Sequence, residues 1–125
     1  MLREIEKTRQ IAGEPTRRWF SDTSMDLIVW VEQESAVGFQ LTYDKPHAEK
    51  AVTWTLETPY LHHTGVDDGE DQAGRFKSTP ILVPEGNWDA WHVCGKFLGC
   101  SELLPDALRE LVCRTLVNAT GNMTV

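Results

Sequence analysis

The chain has 125 residues, of which 41% are hydrophobic and 25% charged, a balance typical of one globular domain with a single core. The formal net charge is −7, and because an acidic surface repels phosphate backbones, we exclude nucleic acid as a partner. No apolar run approaches the roughly 20 residues that cross a bilayer, and the first residues lack the apolar segment of a secretory signal. The sequence therefore predicts a cytoplasmic protein with no membrane partner.

Residues 1–85 are predicted to be mainly β-structure. Residues 1–13 fit either a weak helix or a strand, and the turn signal at 13–15 favours a hairpin that leads into a strand ending at Trp19 and Phe20. The segments that follow, 25–31, 37–43 and 51–57, alternate apolar and polar residues in the manner of strands. Their short connections favour antiparallel neighbours.

Two details of this alternation matter for the faces of the sheet. In 37–43 the odd positions Val37, Phe39, Leu41 and Tyr43 are expected on one face. Segment 25–31 also carries apolar residues at its even positions, including Trp30, so it is expected to be central and buried on both sides. The second face then needs cover from the chain itself, from another chain or from a ligand, and cover from the chain itself is favoured.

Residues 86–118 change to helical spacing. The first helix is expected to begin at the N-cap Asn87 and end at Gly99. Its apolar stripe is expected to be Trp88, Trp91, Cys94 and Leu98, with Val93 and Phe97 beside it. The second helix is expected to begin near Pro105, with this stripe: Leu104, Leu108, Leu111, Val112 and Leu116. Residues 119–125 are expected to be a frayed tail. The sequence thus predicts one α+β domain over 1–125, with an antiparallel meander of about five or six strands and two C-terminal helices packing on one face.

The segment His62–Asp71 concentrates two imidazoles and four carboxylates. These groups bind divalent metals and act as general acids and bases, which gives the following ligand or metal candidates: His62, His63, Asp67, Asp68 and Glu70. In a strand, however, adjacent histidines point to opposite faces and do not share one metal without a local distortion. The spacing matches no motif with a fixed mechanism. A solvated acidic turn with one half-buried histidine is favoured over a metal site.

Tryptophan and arginine supply the remaining candidates. Large aromatic and guanidinium groups anchor interfaces and pockets, and the candidates of this type are Trp30, Trp88, Trp91, Arg17 and Arg18. A small-molecule pocket between sheet and helices, lined by Trp88 or Trp91, is one form that such a site would take. The odd number of cysteines, without an export signal, predicts reduced thiols and no disulfide.

Several segments together resemble a known group of sequences. The segments are Arg17–Asp22, Asp26–Trp30, Gly38–Leu41 with Tyr43–Lys45, Thr53–Trp54 and His62–Glu70. This combination, spread over residues 9–85, resembles a group of small uncharacterised bacterial single-domain proteins. The resemblance implies a bacterial, stand-alone domain. It implies no activity and no catalytic residues.

The leading functional hypothesis is a small cytoplasmic, non-enzymatic binding or interaction module. It predicts no cofactor, and it predicts association with another protein or with a second copy as a homodimer, through a sheet face or edge. An ordinary core, many tryptophans and the lack of an assembled catalytic signature motivate it. The alternative is a metal-binding domain or metal-assisted hydrolase that uses a divalent metal at His62–Asp71.

Overall fold

The computed structural model describes residues 1–45, 50–57, 61–65 and 89–123. Within these residues six strands form one antiparallel sheet in chain order, and two helices follow. The strands are β1 (Arg3–Glu4), β2 (Thr16–Ser21), β3 (Asp26–Glu32), β4 (Ser35–Tyr43), β5 (Lys50–Thr55) and β6 (His62–Gly65); the helices are α1 (Ala90–Cys100) and α2 (Asp106–Met123). The predicted α+β fold with a meander and two C-terminal helices is confirmed. Neither described helix is long and apolar enough to span a membrane.

The strand register defines two faces of the sheet. Leu27 pairs with Leu41, and Leu41 with Val52, so these side chains share a face. Both helices pack on it, and we call it the helix-covered face. Its core includes Phe20, Leu27, Val29, Phe39, Leu41, Tyr43 and Val52 from the sheet, Ala90, Val93, Cys94 and Phe97 from α1, Leu108, Val112 and Leu116 from α2, and Leu2, Met25 and Leu104 from the connecting segments. Burial of this continuous apolar layer is the main source of stability.

The other side of the sheet, which we call the opposite face, is formed by the alternate residues of the same strands. Trp19 pairs with Ile28, Ile28 with Gln40, Gln40 with Thr53, and Thr53 with His62. This single row crosses five strands and changes from apolar at β2 and β3 to polar at β4, β5 and β6. The opposite face is therefore amphipathic across the sheet.

A β-bulge changes the direction of one predicted side chain. The register of β3 against β4 shifts so that Trp30 pairs with Gly38 and Val31 with Ala36. Val37 is the extra residue, and it packs against Ile28 and Trp30 on the opposite face. The prediction that Val37 shares a face with Phe39 is wrong, because the inserted residue breaks the two-residue period at that point.

The helices differ from the prediction at their ends. The N-cap of α1 is Asp89, whose carboxylate accepts a hydrogen bond from the His92 backbone N–H at 3.1 Å, and not Asn87. Aspartate caps a helix as well as asparagine does, and the N-cap lies two residues after the predicted one. Helix α1 ends at Cys100. Helix α2 continues to Met123 where a frayed tail is predicted from residue 119, because a single interior glycine costs only about 1 kcal/mol and does not end a helix.

Gly38 is required by the close approach of three strands. A Cβ at this position would lie 2.8 Å from the Trp54 carbonyl oxygen and 3.2 Å from Trp30 Cε3. We expect Gly38→Ala to lower the free energy of unfolding by about 1–2 kcal/mol through overpacking, as measured by urea denaturation. Gly95→Ala is the control, since nothing lies within 4 Å of a Cβ there and alanine favours the helix. Equal stability of Gly38→Ala and the wild-type protein would contradict the prediction.

Candidate functional site

The two adjacent histidines lie on different faces of the sheet, as strand alternation predicts. His62 pairs with Thr53 on the opposite face, and His63 pairs with Val52 on the helix-covered face. Among the described residues, no three His, Cys, Asp or Glu side chains are placed to hold a metal ion. The carboxylates of Asp67, Asp68 and Glu70 lie outside the described residues, so a metal site that includes them stays a prediction.

His63 is a half-buried imidazole oriented by a tyrosine. Its Nε2 lies 2.6 Å from Tyr43 Oη. Burial, and then the positive charge of Lys50, lower the pKa of His63 to about 4. Burial, and then the charge of Asp44, raise the pKa of Tyr43 to about 12. Both groups are therefore neutral near neutral pH, and the hydrogen bond between Tyr43 Oη and His63 Nε2 joins two uncharged side chains.

The charges around this pair are balanced by ion pairs. Asp44 Oδ1 lies 2.8 Å from Lys96 Nζ, and Asp44 Oδ2 lies 3.6 Å from Lys50 Nζ. The hydrogen bond from Lys96 is the largest of the effects that lower the pKa of Asp44. A general acid or base works best when its pKa lies near the working pH. Tyr43 and His63 are both far from that condition, so the pair is suited to holding β6 against β4 and β5 and poorly suited to proton transfer.

His62 has the opposite character. Its side chain is only 7% exposed, and neither Nδ1 nor Nε2 has a hydrogen-bond partner among the described residues. A neutral imidazole has one N–H donor and one acceptor nitrogen. Leaving a buried donor or acceptor unpaired costs about 1–3 kcal/mol. Within the described part of the chain, both of these interactions of His62 are left open.

The neighbours of His62 on the opposite face are polar and buried. Gln40 and Thr53 occupy the next two positions in its row, and Thr53 Oγ1 donates to Gln40 Oε1 over a long 3.5 Å. At the other end of this face, Trp19 Nε1 and Asp26 Oδ1 are also buried without a partner among the described residues. The unpaired polar atoms thus gather on the opposite face, and this face is the candidate site.

The arginine candidates are engaged within the chain. The guanidinium of Arg17 is buried on the opposite face, where Nε donates to the Arg9 carbonyl at 2.9 Å and Nη2 donates to the same oxygen. The side-chain amide of Gln10 also bonds to the backbone N–H and carbonyl of Arg17 at 2.8 and 3.1 Å. Arg18 forms two hydrogen bonds of 2.8 Å to the carboxylate of Glu4. Both arginines therefore tie the N-terminal segment to β2.

The tryptophan candidates are split between interior and surface. Trp30 is 0% exposed and packs with Ile28 on the opposite face, so its ring is covered within this chain. Trp91 is 60% exposed, because α1 turns residues 90, 93, 94 and 97 toward the sheet and leaves Trp91 and Leu98 on an outer flank. Trp91 therefore does not line a pocket between sheet and helices. Trp88 lies outside the described residues.

Comparison with protein-family models, with curated proteins and with solved structures gave no significant match. The resemblance to small bacterial single-domain proteins stays a prediction. Any functional conclusion must come from the chain's own residues.

Proposed function

We propose that the protein is a small, cytoplasmic, non-enzymatic binding module that holds a small molecule against His62 on the opposite face of its sheet. One observation carries the proposal: a nearly buried imidazole whose two nitrogens have no partner among the described residues. Most buried polar side chains in native proteins are hydrogen-bonded, and a bound ligand is the partner that we propose for this ring.

The surrounding side chains support a binding role. Gln40 and Thr53 share the face, and their mutual hydrogen bond is long at 3.5 Å, so among the described residues both retain capacity to bond to a ligand. Ile28 and Trp30 on the same face are already buried within this chain, so the support for binding comes from the polar side chains. A few convergent polar groups are what orients a ligand in its site.

Two further features agree with the proposal. Tyr43 and His63, whose Oη and Nε2 lie 2.6 Å apart, are both neutral near neutral pH, which favours binding over catalysis. The three thiols, Cys94, Cys100 and Cys113, are free, which suits a reducing compartment such as the cytoplasm. Self-association and a metal at His62–Asp71 stay predictions.

The proposal is tested by NMR of the histidine rings. Protein with ¹⁵N-labelled histidine is screened against small polar compounds of several classes: amides, polyols, carboxylates and amines. We expect at least one class to shift both ring nitrogens of His62, to show no binding to His62→Leu in isothermal titration calorimetry, and to keep binding to the control His63→Gln. Absence of any shift at His62 across all classes would overturn the proposal.

A further inference from the structure

We infer that the ligand at His62 is an uncharged molecule that carries both hydrogen-bond donors and acceptors, the chemistry shared by carboxamides, nucleobase edges and polyols. This inference rests on the proposed binding function and adds the charge and polar pattern of the ligand. Two independent observations carry it, one on the donor–acceptor balance of the ring and one on the charges around it.

The balance of the ring selects a ligand that both donates and accepts. A metal ion takes the lone pair of one nitrogen and leaves the N–H of the other unpaired. An anion accepts from the N–H and leaves the lone pair unpaired. Both nitrogens of His62 are buried and without partners in the described part of the chain, and a ligand with donor and acceptor groups completes both nitrogens of the neutral ring.

The side chains that flank His62 select against charge. On β4 and β5 the described residues of the opposite face are all uncharged: Gly38, Gln40, Thr42, Ala51, Thr53 and Thr55. The charged groups of this face lie on β1, β2 and β3, away from β6: Arg3, Arg17, Asp26 and Glu32. Arg17 bonds to the Arg9 carbonyl, and Asp26 Oδ2 lies 3.0 Å from Lys45 Nζ. A buried charge without a counter-charge is strongly unfavourable. Among the described residues nothing beside His62 would balance a charged ligand.

The test uses two pairs of probes that differ mainly in charge: nicotinamide with nicotinate, and glucose with glucuronate. Each is titrated into the whole protein while the ¹⁵N shifts of His62 are followed, and Zn²⁺ is a fifth titrant. We expect the neutral member of at least one pair to bind at least about tenfold more tightly than its anion. One ring nitrogen should stay protonated and the other unprotonated in the complex. The pair that responds identifies the source, amide or polyol.

The outcomes separate this inference from the proposed function. If an anion binds at His62 more tightly than its neutral counterpart, or if Zn²⁺ shifts the His62 nitrogens more than the neutral probes do, the inference of an uncharged ligand is wrong. The proposed binding site at His62 would still stand. No response to either neutral probe would also overturn the inference, while the broader screen still decides the proposed function. Thr53→Val provides a positional check, because it removes a neighbouring hydroxyl and is expected to weaken the neutral probe without changing His63.

Discussion

Replacement of His62 by leucine is expected to raise the free energy of unfolding by about 1–3 kcal/mol in the absence of ligand. Most substitutions of a buried residue destabilise a protein, so the expected sign is unusual. It follows from the two unpaired ring nitrogens: leucine has a similar volume, and it removes a buried donor and a buried acceptor without leaving new unpaired groups. The same substitution is expected to abolish binding at the opposite face.

The measurement is urea denaturation of the unliganded proteins, followed by far-ultraviolet circular dichroism. His63→Leu is the matched control on the neighbouring residue of β6. There the substitution breaks the 2.6 Å hydrogen bond from Tyr43 and leaves a buried hydroxyl without its partner, so stability is expected to fall. If both variants were destabilised alike, the His62 nitrogens would have partners in the folded chain and the proposed site would lose its basis.

A stabilising effect of His62→Leu beside a destabilising effect of His63→Leu would mean that His62 lowers the stability of the unliganded protein and is kept for its function. Proteins commonly tolerate a locally unfavourable group where a ligand completes it, and such groups are frequent at binding sites. Without ligand the His62→Leu variant is expected to be the more stable protein. With saturating ligand this order is expected to reverse, since a ligand that binds only the folded wild-type protein stabilises the wild-type protein.

Strand periodicity predicts the sheet well because the alternation of apolar and polar residues is visible within the sequence of each strand. The alternation of 25–31, 37–43 and 51–57 gives the row Leu27, Leu41 and Val52, and it places His62 and His63 on different faces. The bulge at Val37 is beyond this reasoning. The bulge arises from how β3 and β4 pair, and the sequence of β4 by itself does not show that one of its residues has no partner on β3.

The phase of α1 shows a similar limit. Its sequence contains two apolar stripes that share Cys94, one through Trp91 and Leu98 and one through Ala90, Val93 and Phe97. Hydrophobicity favours the first stripe because of its tryptophan. Packing against the flat sheet buries the second, and the bulky Trp91 remains outside. Sequence periodicity predicts that a helix forms but does not decide between two comparable faces.

One part of the candidate site is determined by residues that are adjacent in the sequence, and the other part by how the strands pair. The cluster of imidazoles around His62 and His63 is evident in the sequence. The partner of His63 is Tyr43, 20 residues earlier. The two side chains meet because β4 and β6 both pair with β5, one on each side of it. The burial of His62 likewise depends on neighbours from several strands, and no local pattern distinguishes a buried unpaired imidazole from an exposed one.

The pH dependence of stability is the second large effect, and it follows from His63. The pKa of this group falls from 6.5 to about 4 on folding, because burial and then Lys50 disfavour its charged form. Between these two pH values the unfolded chain binds a proton that the folded chain does not. Stability from His63 is therefore complete above about pH 6.5, declines as the pH falls, and is exhausted near pH 4. Because His63 is only half-buried, we expect a loss of about 2 kcal/mol, below the full value of the shift.

Other groups titrate in the same range, so a difference between two proteins isolates the contribution of His63. His63→Gln keeps an acceptor for Tyr43 Oη and removes the titration. We expect the wild-type protein to lose stability relative to this variant as the pH is lowered through that window, in urea denaturation repeated at several pH values. A direct readout is the ¹⁵N titration of the His63 ring, with its midpoint near 4. Parallel stability profiles of the two proteins would contradict the prediction, and a midpoint near 6.5 would place the His63 ring in water and remove the Tyr43–His63 pair as the contact that holds β6 in place.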